Sequence, residues 1–174
     1  MSCNQSCDAL ARYRVGLPYP PVAVQRPNSV YAKMISAAYG GRGSKLTSIA
    51  QYISHGYYLG NYPDVADTIR GIAAVEMTHL QMLGQLILCL GCPPVFASYD
   101  SNSYWSGTFP DYSQSVEKIL LADIRQERDS IARYRKMLPQ IQDKQITRLL
   151  RRLMQDEEHH LSLLLPLLEK HQNL

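Results

Sequence analysis

Several things are scarce in this chain. Among its 174 residues there is no run of eighteen consecutive apolar side chains, and Met1 to Arg14 contain no apolar core of the kind that directs secretion. The expectation is a cytoplasmic protein with no membrane partner. Lys and Arg (18 together) barely outnumber Asp and Glu (15), and none of them gathers into a basic run with interleaved aromatics, so nucleic acid is not an expected partner. Cysteine is limited to Cys3, Cys7, Cys89 and Cys92, which in a reducing compartment carry no disulfide framework. The two pairs could share a zinc ion, since Cys89 and Cys92 have a metal-binding spacing; the plainer reading is two thiols packed at a helix end and two in a tail. Finally, no Asp or Glu occurs between Asp8 and Asp64.

What is present is helical periodicity. Residues 1–28 form an extended N-terminal arm, because Leu17-Pro18-Tyr19-Pro20-Pro21 and Arg26-Pro27 favour polyproline-like backbone over helix. Residues 29–174 read as an all-α four-helix bundle. The first helix follows an Asn28 or Ser29 cap, weakens at Gly40-Gly41-Arg42-Gly43 and resumes through Leu46, Ile49, Tyr52 and Ile53 to about Leu59. The second runs from Pro63 to Leu90 with Ile69, Ile72, Glu76, His79, Leu83 and Leu86 on one face. The third, about 114–138, aligns Leu120, Ile124, Glu127, Ile131 and Tyr134; the fourth, about 144–171, aligns Ile146, Leu150, Leu153, Glu157, His160, Leu164 and Leu168. Between the second and third helices lies a loop of about twenty residues, long for a compact domain unless it runs the length of the bundle. Fully extended it spans ~65 Å against ~40 Å for such a helix, so it is expected to be a crossover.

Two Glu-x-x-His pairs, Glu76/His79 and Glu157/His160, lie on faces otherwise filled by Ile and Leu. Residues three apart share a helix face with ~4.5 Å of axial rise between them, so each pair can hold one metal ion. Two such pairs, with a lone Glu from each remaining helix, form the ligand pattern of carboxylate-bridged di-iron and di-manganese bundles. The turns test the register. Lys45 lies 16 residues before Asn61, and Glu76 and His79 lie 15 and 18 after it; Glu127 lies 14 before Ile141, and Glu157 and His160 lie 16 and 19 after it. All stand at one level of an antiparallel bundle. The candidate metal ligands are therefore Glu76, His79, Glu127, Glu157 and His160. Glu-x-x-His is also common on solvated faces, but a carboxylate among Ile and Leu is too costly to bury without a partner. Tyr52 and Tyr134 are expected to face the cluster, where packing is their ordinary role. His55 lies ~15 Å along the helix from Lys45, too far to be a ligand.

At these residues the chain resembles the ferritin-like superfamily, in particular small bacterial relatives of manganese catalase and rubrerythrin, including the spore-coat catalase-like proteins. The likeness rests on Tyr39-Gly40-Gly41 leading into Leu46-Thr47-Ser48-Ile49-Ala50-Gln51-Tyr52, on Glu76 to His79, on Glu127 and on Asp156-Glu157-Glu158-His159-His160. It implies paired iron or manganese used to disproportionate or reduce hydrogen peroxide, or to oxidise and store iron. Spore-coat localisation is a further implication of it. One position departs: where the family places a Glu in the first helix, this chain has Lys45, and the acid-free stretch around it offers no substitute. Three carboxylates, one ammonium and one divalent ion sum to zero charge, which favours a single ion of iron or manganese over two. The C-x-x-C pair of a C-terminal rubredoxin-type module is also missing. The expected function is peroxide or oxygen redox of the catalase or peroxidase type, an Fe- or Mn-dependent oxidoreductase if active. The alternative is a non-catalytic structural or storage-like ferritin-fold oligomer with a degenerate site. The arm's Leu17, Tyr19, Val22 and Val24 are expected to pack across a neighbouring subunit of a homo-oligomer.

Overall fold

A computed structural model describes residues 10–172. Helix α1 (Ser29–Gly40) starts where the Asn28 side chain accepts from the Val30 and Tyr31 amides. Helix α2 (Lys45–Gly56) starts after Ser44, whose hydroxyl accepts from the Thr47 amide. Together they form the first arm of the bundle, broken at the expected glycines. Helix α3 (Pro63–Cys89) opens on proline, which has no amide hydrogen to leave unpaired in a first turn. It is long and apolar enough to cross a membrane by length and composition, yet half of its most apolar window is buried in the bundle, as in the core helix of a folded domain. Helix α4 (Val116–Met137) and helix α5 (Lys144–His171) are joined by a 3-10 turn at Leu138–Gln140, and Asp143 caps α5 through the Gln145 and Ile146 amides. All four bundle helices fall within a few residues of the boundaries expected from periodicity.

The crossover descends along α1 and α2. It folds into a small antiparallel hairpin, β1 (Ala97–Ser98) with β2 (Ser103–Tyr104), pairing Ala97 with Tyr104. Asn102 in the turn has φ 48°, a left-handed conformation that asparagine tolerates. The Tyr99 amide then donates to Ser36 Oγ (2.9 Å), Trp105 Nε1 to Thr47 Oγ1 (3.0 Å) and the Asp111 amide to Gln51 Oε1 (2.9 Å), successive positions down α1 and α2. Two apolar layers fill the bundle. One is built around Ile35, Leu83, Leu86, Ile146 and Leu150, the other around Ile69, Ile72, Ile119, Leu120 and Leu164. Between them lies a buried layer of charge.

The arm differs from its sequence reading in two ways. Leu10 and Ala11 are helical and Tyr13 N donates to Leu10 O, so the described part of the arm has a helical turn ahead of its extended stretch. Residues 12–25 also dock on their own chain: Tyr19, Val22 and Val24 pack against the first apolar layer, and the Gln25 amide donates to Asp143 Oδ2 (2.7 Å). The reason is polar as much as apolar. Arg152, only 5% exposed, donates to the Val15 and Leu17 carbonyls at 2.7–3.1 Å, bonds that no water could supply there. Leu17 alone of the expected contact residues stays largely exposed. Cys3 and Cys7 lie outside the described residues, and with them the zinc alternative; Cys89 and Cys92 are partly buried free thiols.

Candidate metal centre

Lys45 is the first residue of α2, and the Ser44 cap directs its side chain inward, where it is 2% exposed. Its Nζ lies 2.7 Å from Glu76 Oε2 on α3 and also contacts Glu157 Oε2 on α5. It sits 5.9 Å from the Tyr134 ring centroid. Burial alone would pull the ammonium's pKa down, but Glu157 and Glu76 outweigh it and hold the group well above its ordinary value. The lysine is a fixed positive charge within the core.

Glu76 and Glu157 belong also to a wider group. Ligand-capable atoms of Glu76, Glu127, Glu157 and His160 lie within 4.8 Å of one another, and all four residues are buried. His160 Nδ1 is 3.4 Å from both Glu76 Oε1 and Glu127 Oε2. Glu76 thus turns one oxygen to the ammonium and the other to the imidazole. Glu76 Oε1 and Glu157 Oε1 face only imidazole nitrogens, His160 Nδ1 at 3.4 Å and His79 Nδ1 at 3.1 Å, without a well-formed hydrogen bond, a costly condition for buried carboxylates. Three carboxylates and one imidazole with oxygens so weakly partnered fit a manganese or iron cation.

His79 completes the expected set but stands apart from that group of four. Its Nδ1 is 3.1 Å from Glu157 Oε1 and 3.9 Å from Glu76 Oε2, on the lysine's side. Its Nε2 faces Asp156 Oδ2 at 3.0 Å, and Tyr19 hydroxyl donates to the same oxygen at 2.6 Å. Arg152 Nη1 (2.7 Å) and the Val15 amide (2.8 Å) donate to Asp156 Oδ1. Although burial opposes ionisation of Asp156, His79, Tyr19 and Arg152 together hold it far below the usual carboxylate range. Burial lowers the histidines too, and the carboxylates reverse it: His79 is raised, and His160 is pushed up to about 10, chiefly by Glu127. Four basic side chains, Lys45, Arg152, His79 and His160, thus stand against the four carboxyl groups of Glu76, Glu127, Glu157 and Asp156.

Tyr52 and Tyr134 both face the cluster. Tyr52 hydroxyl donates to Glu127 Oε1, while the buried Tyr134 hydroxyl has no partner. His55 lies outside the cluster in a second buried network: Nδ1 is 2.9 Å from Asp123 Oδ1, Nε2 is 3.3 Å from Asp111 Oδ1, and Gln51 Nε2 donates to Asp123 Oδ1 at 2.8 Å. Asp123 and Arg152 are polar groups that sequence reasoning missed; Gln51 and Asp156 appeared there only as parts of motifs, and Tyr19 only as an apolar contact of the arm. Asp123 sits one turn before Glu127 on the same apolar face, which was a usable signal.

A family model described as manganese-containing catalase matches residues 13–92, slightly under half of the chain. No curated protein sequence matches significantly. Among solved structures, KatB, a manganese catalase from Anabaena PCC7120, superposes with a TM-score of 0.82 at 21% identity, covering 89% of this chain and 78% of that one. The Desulfovibrio desulfuricans bacterioferritin, which has a diiron site, gives 0.71 at 25% identity over 84% and 82%. A dodecameric thioferritin from Bacteroides fragilis gives 0.68 at 17% identity over 98% and 96%. The helical bundle, the buried Glu/His cluster at its middle and these likenesses agree: the chain is a ferritin-like protein whose first half carries the sequence signature of manganese-containing catalase.

Proposed function

We propose that the protein is a single-ion manganese or iron protein acting in peroxide or oxygen redox, in which the Lys45 ammonium stands where a second cation would otherwise balance the carboxylates. Glu76, Glu127, Glu157 and His160 hold the ion, and His79 is directed toward the lysine's side of the shared carboxylates. The single observation that carries this reading is Lys45 Nζ, in contact with one oxygen each of Glu76 and Glu157 while their other oxygens face only His160 and His79, without a well-formed hydrogen bond. A second divalent ion about 4 Å from that ammonium would meet a repulsion of about 8 kcal/mol at an effective dielectric of about 20. Bound manganese or iron supplies redox chemistry toward hydrogen peroxide; the chain's own groups orient the ligands and keep the bundle dry around them. Homo-oligomeric assembly belongs to the same proposal, supported by the dodecameric thioferritin.

A second reading, a non-catalytic structural or storage-like oligomer, is favoured by one observation: the four carboxyl groups already contact four basic side chains, Lys45, Arg152, His79 and His160, within the chain itself. Elemental analysis decides. Wild-type protein loaded with manganese or iron is expected to hold one ion per chain, and Lys45→Glu to approach two with a gain in peroxide turnover. Two ions in the wild type would defeat the single-ion reading, and none would leave the structural one.

A further inference from the structure

The two Glu-x-x-His segments are near repeats, Val75-Glu76-x-x-His79 and Asp156-Glu157-x-x-His160, and they differ in the residue before the glutamate. Asp156 reaches across to the other segment and takes the Nε2 hydrogen of His79 at 3.0 Å. By the same relation the residue before Glu76 should grip His160, but it is Val75, an apolar side chain 1% exposed. His160 Nε2 is nevertheless partnered. It lies 3.0 Å from the backbone carbonyl of Tyr13, in the N-terminal arm. A carbonyl can only accept, so this contact places a hydrogen on Nε2 and turns Nδ1 toward Glu76 and Glu127.

We infer that residues 12–19 of the arm are a built-in part of the metal centre: the Tyr13 carbonyl replaces the missing carboxylate at position 75 as the positioning partner of His160, and the arm retains the cation. This rests on the single-ion reading above. The arm is held there by specific contacts. His159 Nε2 lies 3.0 Å from the Arg12 carbonyl, Asp156 and Arg152 bind the backbone of Val15, and Tyr19 hydroxyl is 3.3 Å from His79 Nε2. The Tyr13 ring lies directly on Gly71 of α3, where an added Cβ would stand 2.2–2.5 Å from the ring's Cε2, Cδ2 and Cγ. Glycine is a poor helix former, and its bare Cα here makes the seat for the arm. Groups that orient a ligating histidine through its second nitrogen typically change metal affinity 10- to 100-fold when removed.

The test therefore acts at Gly71, which offers no side chain to the metal centre. Gly71→Ala and Gly71→Leu, in the full chain, are expected to unseat Tyr13 while leaving α3 helical. Trypsin should cut faster after Arg12 and Arg14, and the protected His160 ring Nε2–H signal of the metal-free protein should disappear from the NMR spectrum. Manganese affinity should fall about 10- to 100-fold, with faster loss to EDTA. Adding Val75→Asp, which supplies the absent carboxylate, should restore retention with the arm still detached. An arm that is freed with manganese affinity unchanged overturns the inference, as does an arm that stays protected in both variants. If wild-type protein takes up neither metal, the single-ion reading fails by itself; the ring signal then decides whether the arm holds His160, and its persistence in Gly71→Leu overturns that.

Discussion

At the residue scale, Lys45 and His55 show two ways of keeping charge inside a bundle. Lys45 is an internal cation that no change of pH near neutrality removes, whereas His55 is one that pH can remove. Burial depresses the His55 pKa, but Asp123 and then Asp111 outweigh it and hold the imidazole above its ordinary 6.5. A group whose pKa is raised on folding contributes stability that is complete below its unfolded value and lost as pH rises through the folded one. The protein should therefore lose stability as pH climbs from about 6.5 into the alkaline range. Thermal melts across that range should show the decline in the wild type and a flatter profile in His55→Gln; equal slopes in the two proteins would sink the assignment. The crossover should loosen over the same range, since His55 Nε2 faces Asp111 within it.

At the element scale, the crossover rather than any helix is the part with least latitude. The backbone of Phe96 and Ala97 passes so close to Gly40 that a Cβ there would stand 2.6–2.8 Å from it. These are backbone atoms and cannot rotate aside. Gly40→Ala should force the hairpin off α1 and destabilise the fold by about 1–3 kcal/mol, the usual cost of overpacking. Urea unfolding reads the loss directly, and an unchanged midpoint would mean the hairpin is free to shift. The helices themselves were legible in the sequence because apolar residues three and four apart, the cap at Asn28 and the proline at 63 agree with one another. The common level of the buried Glu/His cluster was legible because residue counts from two turns fix the axial height of Lys45, Glu127 and both Glu-x-x-His pairs. The arm's place was not. Its decisive contact with His160 is a backbone carbonyl, which every residue possesses, so residue identity says nothing about it. Arg152 and Asp123 likewise look like ordinary charges on amphipathic helices until tertiary packing closes over them. The Val75/Asp156 asymmetry, by contrast, was present in the sequence and pointed to a histidine in need of another partner.

At the scale of the whole molecule, the charged layer between two apolar layers makes stability depend on what balances it. Lys45, Arg152, His79 and His160 face the carboxyl groups of Glu76, Glu127, Glu157 and Asp156 across this layer. A cation that binds only the folded chain adds stability by mass action, about 2.7 kcal/mol at a free concentration 100-fold above its dissociation constant. For a chain of this size that corresponds to a rise in melting temperature of about 5–10 °C. Lys45→Glu should behave differently. It exchanges the internal cation for one more carboxylate beside Glu76, Glu127, Glu157 and Asp156, so the metal-free variant should melt below the wild type and gain more from manganese than the wild type does. Melting curves of both proteins, with and without manganese, give the four temperatures needed. If manganese raises neither protein, the cluster is a structural ion-pair network; if it raises both equally, Lys45 does not occupy a cation's place.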